Sequence, residues 1–288
     1  IEKESIDSLH ISVPFHKPDI SLQADVVEEI LRIDGLDNVD IPSSITISPS
    51  IDENIEAEIQ KERVSNYLAG LGFNEILTNS ITNKSYFSEE ELTTSVKMKN
   101  SLSAELNIMR PNMLETGLEV VAHNLNRKND NLKLFEFGKT YSVNSKGKFE
   151  EPEHLCLYMT GNLQNKTWKH SAAPIDFYSI KGAVEKLLGL LGLTNISYDE
   201  NISNQLQSGL SIKAGQHIIG EVGIVSKKVQ VRYDIKPVVL YADLNWNTIL
   251  KMALKNKPTF QAIPKYPAVQ RDIAMVAPKE LKYSFVEN

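Results

Sequence analysis

Apolar positions change their period several times along this chain, and each change predicts an element. Leu9-His-Ile-Ser-Val13 reads as a short strand closed by a turn at Pro14. Val26, Ile30 and Ile33 then line one side of a helix running from about Asp25 to Ile33, with Gly35 placed to stop it. A connector follows, Ile41-Pro-Ser-Ser-Ile-Thr-Ile-Ser-Pro-Ser50, whose prolines and serines favour an extended crossing segment. Ser50 and Glu53 have capping-box spacing. Beyond them Ile55, Ile59, Val64, Tyr67, Leu68 and Leu71 make an imperfect helical stripe that ends at Gly70 and Gly72. Phe73 to Thr82 is rich in apolar and β-branched residues and predicts a strand. Leu134-Phe-Glu-Phe137 and Leu155-Cys-Leu-Tyr-Met159 predict two more strands.

Downstream, Ile180, Val184, Leu187, Leu188 and Leu191 stand at i, i+4, i+7, i+8 and i+11 after Asp176, a strong core-facing helical stripe. Leu210–Lys213 and Ile218–Val225 flank Ala-Gly-Gln-His, which predicts a hairpin, and Pro237–Leu244 is a further strand. Strands joined by hairpins, with helices outside them, predict an α+β fold around an antiparallel sheet.

Bulk properties narrow the function. The chain has 288 residues, enough for one large domain with fragments or for two domains. Its formal net charge of −6 argues against a broad phosphate-binding surface, which would show as a basic excess. The longest apolar runs fall far short of a membrane span, and no signal peptide opens the chain. Cys156 is alone, so a disulfide framework is excluded; inside an apolar run it reads as a buried, inert thiol, and a reducing cytoplasm fits. The six histidines lack metal-ligand spacing. Neither a Gly-x-x-x-x-Gly-Lys-Ser/Thr loop nor a Gly-x-Gly-x-x-Gly fingerprint is present.

One acidic cluster stands out: Asp19, then Asp25, Glu28 and Glu29. The last three are spaced to share a helix face, where like charges cost a few tenths of a kcal/mol per pair, or roughly that order. A hard cation with oxygen ligands would offset the cost. The plainer reading is a helix N-terminus, where negative charge suits the macrodipole.

The stretch Pro14-x-x-Lys-x-Asp-Ile20 followed by Asp25-Val-Val-Glu-Glu-Ile-Leu-Arg-Ile-Asp-Gly35 resembles the bacterial phenylalanine–tRNA ligase beta-subunit family. Later blocks resemble it in the same order: Asn100-Ser-Leu-Ser103, Met109-Arg-Pro-Asn-Met-Leu114, Asn124-Leu-Asn-Arg127, Leu134-Phe-Glu-Phe-Gly-Lys-Thr-Tyr141, and the closing Phe260 to Val276. Departures are mild: Lys17 where the family often has Arg, Ser101 for Pro, Met109 for Leu, and Pro111 and Asn112 within the Leu-Arg block.

The resemblance implies a fold and a division of labour. Residues 1–41 would be the C-terminal half of a winged-helix-like module, preceded by further beta-subunit domains. Residues 42–257 would be a class II aminoacyl-tRNA synthetase-like domain. Residues 258–288 would be the first strand or so of a ferredoxin-fold anticodon-binding domain. It further implies that Asp19, Asp25, Glu28 and Glu29 ligate a Mg2+ ion shared with an alpha subunit. That subunit would bind ATP and activate phenylalanine, with tRNA(Phe) engaged by an (αβ)2 tetramer and the editing site outside this stretch.

Class II catalysis needs two phosphate-facing arginines, because guanidinium binds phosphate bidentately and keeps its charge. The matching regions here carry neither, since no Arg precedes Glu136 and the helix after Asp176 reads Lys181-Gly-Ala-Val-Glu-Lys186. No catalytic residue is therefore expected in this chain. Two other readings compete: a standalone synthetase paralogue that binds an amino acid or another small molecule, and a winged-helix DNA-binding regulator, which the acidic charge disfavours.

Overall fold

The computed structural model describes residues 3–4, 9–48, 55–101, 103–256, 264–279, 281 and 284–287. It divides into two units, Ile1–Glu53 and Asn54–Asn288.

The first unit is slight. Strands β1 (Lys3–Glu4) and β2 (Leu9–His10) pair antiparallel, shorter than the five-residue strand expected from the sequence. The Lys17 amide donates to the Pro14 carbonyl at 2.9 Å and makes the predicted turn. Helix α1 (Gln23–Asp34) ends at Gly35, whose φ of 98° only glycine adopts easily. No residue of α1 is buried, and Ile33 is 90% exposed, so the described residues of this unit form no core of their own. The capping-box pair Ser50 and Glu53 lies outside the described residues.

The second unit is built on a seven-stranded sheet. In chain order its principal elements are α2 (Ile55–Gly70), β3 (Asn74–Glu75), β4 (Ile81–Thr82), β5 (Ile108–Met109), α3 (Leu114–Leu125), β6 (Leu132–Lys139), β7 (Glu153–Thr160), α4 (Phe177–Leu190), β8 (Ile196–Asp199), β9 (Leu206–Ala214), β10 (His217–Val225), β11 (Val239–Asn245) and α5 (Trp246–Ala253). The sheet order is β8-β9-β10-β11-β7-β6-β3. Every pairing is antiparallel except β3 with β6, and β4 pairs separately with β5. The expected α+β fold around an antiparallel sheet is what forms.

Strand alternation sorts the sheet's two faces. On one face Phe135, Phe137, Leu155, Leu157, Leu240, Ala242 and Leu244 are buried beneath α2, α4 and α5. The whole predicted stripe of α4 is covered: Ile180, Val184, Leu187 and Leu188 are fully buried and Leu191 nearly so. Each such side chain contributes about 1.5–3 kcal/mol relative to exposure. Asp176 caps this helix, accepting the Ser179 amide at 2.8 Å and the Ser179 hydroxyl at 2.7 Å. These bonds hold its carboxyl below the ordinary aspartate range. On the other face Leu132, Leu134, Cys156, Tyr158, Val239 and Tyr241 meet Leu114, Leu118 and Val121 of α3.

Three expectations change on folding. The strand predicted over Phe73–Thr82 splits into β3 and β4, because the Thr78 amide leaves the ladder to bond the Glu136 carboxylate at 3.0 Å. The α2 stripe is buried only at Val64 and Leu68; Ile55 and Ile59 are more than half exposed. The closing segment forms no strand among described residues 264–276, consistent with a strand's need for a hydrogen-bonding neighbour; residues 260–263 lie outside the described ones.

Close packing of α3 on the sheet yields a test. Tyr158 donates its hydroxyl to the Met113 carbonyl at 2.7 Å, and an ideal Cβ at Gly117 would lie 2.2 Å from the Tyr158 ring. Gly117→Ala, which by helix propensity alone would stabilise by up to about 1 kcal/mol, is therefore expected to destabilise by about 1–3 kcal/mol through overpacking. Urea unfolding reads the difference, and a gain in stability would overturn the packing argument.

Candidate functional site

The α3 face of the sheet carries the polar chemistry. Because the register is continuous across five pairings, one transverse row reads Glu136, Cys156, Asp243, Glu221, Ser211 and Asp199 from β6 to β8. Four of these six are carboxylates, and each has found a different neighbour.

Glu136 is fully buried and pairs with buried Arg110, Nη1 to Oε1 at 3.1 Å. Thr78 donates its amide and hydroxyl to the same carboxylate at 3.0 and 2.9 Å. The Arg110 Nε donates to the Lys139 carbonyl at 2.8 Å. Gly138 makes room for this guanidinium, since a Cβ there would sit 2.3 Å from Arg110 Nη2. Asp243 accepts from His154 Nδ1 at 2.6 Å and from the Tyr241 hydroxyl at 3.2 Å. The other His154 ring nitrogen meets Thr140 Oγ1 at 3.1 Å. Glu221 accepts the Ser203 amide at 2.9 Å and its hydroxyl at 2.7 Å, and Asp199 pairs with Lys213.

Cys156 lies in this row fully buried, with Sγ 3.3 Å from the Tyr241 hydroxyl. Burial, and then the Asp243 charge, push its thiol well above the ordinary range, so it stays protonated and inert as expected. The face can hold protons and hydrogen bonds among its own groups. Its net acidity and the confinement of Arg110 leave it poorly suited to grip a polyphosphate.

The four carboxylates singled out in the sequence lie in the first unit. Asp19 is exposed in the turn before α1. Asp25, in the first turn, accepts the Ser21 and Leu22 amides at 2.8 and 2.7 Å. These backbone bonds hold its carboxyl below the usual aspartate range. Its stabilising contribution is thus present above that range and is lost as pH falls through the depressed value. Glu28 is exposed. Glu29 is bridged by Lys17 at 3.2 Å and Arg32 at 2.8 Å. The donors are the hard oxygens magnesium takes, yet here Asp25 serves the helix end and Glu29 is neutralised by two cations. Among the described residues no group of three or more His, Cys, Asp or Glu side chains is arranged to hold a metal. Nor is any helix among them long and apolar enough to cross a membrane.

Sequence reasoning did not single out Arg110, His154, Glu221 or Asp243. A signal was present: in His154-Leu-Cys156 and Tyr241-Ala-Asp243-Leu-Asn245, polar groups alternate with apolar ones and so share a face.

An antiparallel sheet with one parallel edge strand and a covering layer of helices is the architecture of class II aminoacyl-tRNA synthetases. Pyrrolysyl-tRNA synthetase from Desulfitobacterium hafniense superposes with a TM-score of 0.55 at 16% identity, covering 69% of this chain and 67% of that one. The family model described as "Phenylalanyl tRNA synthetase beta chain CLM domain" matches residues 41–246, and the chain belongs to that family. Phenylalanine–tRNA ligase beta subunits from Bacteroides thetaiotaomicron and Porphyromonas gingivalis are 36% and 30% identical across the whole chain. The one from Thermotoga maritima is 29% identical over 95% of it. The chain spans 37% of the length of the first two relatives and 34% of the third.

Proposed function

We propose that this chain is the non-catalytic scaffold portion of a phenylalanine–tRNA ligase beta subunit, working in the cytoplasm. An alpha subunit would bind ATP, activate phenylalanine and charge tRNA(Phe) within an (αβ)2 tetramer. On this reading residues 1–41 end a winged-helix-like module, 42–257 form the synthetase-like domain, and 258–288 open an anticodon-binding domain. The observation that carries the non-catalytic reading is Arg110. The Arg110 guanidinium, on the α3 face of the sheet, is buried against Glu136 and bonded to the Lys139 backbone, so it is not free to meet a nucleotide phosphate. The exposed apolar side chains of the first unit, Ile30, Ile33, Leu36 and Ile41 among them, supply surface for a partner.

Coexpression with a cognate alpha subunit, followed by sizing and phenylalanine charging, tests the reading. Stable association and charging are expected only with both subunits present. Pyrophosphate exchange into ATP by the purified chain, given an amino acid and no alpha subunit, would overturn it.

The magnesium site is part of the proposal. Asp19, Asp25, Glu28 and Glu29 would become ligands when the alpha subunit draws Glu29 away from Lys17 and Arg32. Glu28→Gln and Asp19→Asn leave the Asp25 helix-end bonds and the Glu29 bridges intact. Both are expected to weaken subunit association in magnesium while leaving α1 helicity unchanged. Sizing with and without a chelator checks this, and variants that assemble like the parent in both buffers would exclude magnesium bridging.

A further inference from the structure

Beyond Asp243 the polar face opens into a cleft of about 450 Å³, lined by His154, Ser203, Ser211, Ile218, Glu221 and Asp243. We propose that this cleft binds a small primary ammonium ion on a short aliphatic stem.

Three observations carry the assignment. First, Glu221 and Asp243 stand directly opposite each other on neighbouring antiparallel strands, a placement in which like charges repel and a shared cation offsets the cost. Second, Glu221 receives its hydrogen bonds from the neutral Ser203, and among the described residues no Lys or Arg pairs with it. Third, Ser211 is the next residue of the same row, 5% exposed, and its Oγ has no hydrogen-bond partner. A buried hydroxyl left unpaired is costly, and a ligand donor entering the cleft would satisfy it.

An ammonium fits all three. It has three N–H donors, one each for Glu221, Asp243 and the Ser211 hydroxyl oxygen. The cleft lies within the range of about 300–1,000 Å³ that small ligands occupy, and the Ile218 side chain gives a methylene stem an apolar wall. An anion is repelled by the two carboxylates. A metal ion is disfavoured because these donors are not grouped for coordination. The assignment does not depend on the scaffold reading, because its readout is binding rather than charging.

The test is titration of the chain with butane-1,4-diamine, followed by calorimetry and by NMR of the His154 ring. Saturable one-to-one binding is expected, weakened by about tenfold or more in Glu221→Gln through loss of a charge-assisted bond. A smaller loss is expected in Ser211→Ala, and none of this binding with butan-1-ol. Ser211→Ala removes an unpaired group and so keeps the fold, which preserves the test should Glu221→Gln fail to fold. The proposal is overturned if the diamine does not saturate, if both variants bind it like the parent, or if magnesium chloride displaces it at equal concentration.

Discussion

Arg110→Met is expected to lower the stability of the second unit by about 3–5 kcal/mol, the cost of leaving a buried charge without its partner. Glu136 is fully buried on β6, and the ionised carboxylate would keep only the Thr78 donors. The loss is a large fraction of the roughly 5–15 kcal/mol that holds a typical domain together. Urea unfolding followed by far-UV circular dichroism measures it. The companion Arg110→Met/Glu136→Gln variant separates charge from packing: glutamine keeps an acceptor for the Thr78 amide while removing the stranded charge. It should recover most of the loss. If the single variant lost less than about 1 kcal/mol, the pair would be a weak surface-like bridge and the account of Arg110 as a structural guanidinium would fail.

Trp246→Ala should cost about as much, roughly 3–5 kcal/mol, by a different mechanism: a cavity in the opposite core. Trp246 is 1% exposed, and its ring meets Phe137 edge to face at 4.9 Å between centroids. It opens α5, whose end is capped by Asn245 Oδ1 accepting the Thr248 amide at 2.9 Å, so the ring is held at a fixed helix origin. Leu155, Leu244 and Ile249 of the same core are themselves fully buried, so the space around the ring is already filled. Tryptophan fluorescence supplies an independent check. The chain has two tryptophans, and Trp168 is 97% exposed. The variant should therefore lose the blue-shifted component and keep the solvent-exposed one, and retention of the blue-shifted component would contradict the burial.

The strongly periodic elements were legible in the sequence because spacing alone decides which side chains share a face. The α4 stripe from Ile180 to Leu191 is one case, and the β9–β10 hairpin another. The inert character of Cys156 followed from its apolar neighbours. What failed depended on groups distant in the chain. The strand over Phe73–Thr82 breaks because the Thr78 amide prefers a carboxylate 58 residues away. The outer half of the α2 stripe stays exposed because amphipathicity states only that a face is apolar, not that anything in this chain covers it.

The acidic cluster shows the same limit. Its residue types specify hard-oxygen chemistry, and its spacing puts three carboxylates on one helix, but neither says which cation reaches them; in this chain Lys17 and Arg32 take Glu29. The row from Glu136 to Asp199 was invisible for a related reason. Its members come from six strands, and only strand register lines them up. The sequence by itself determined the α+β class, the antiparallel sheet and the family, because periodicity and local motifs are properties of neighbouring residues. Tertiary structure alone decided that Arg110 neutralises Glu136 and that Glu221, Asp243 and Ser211 share a cleft, because charge pairing acts through space between groups the chain order keeps far apart.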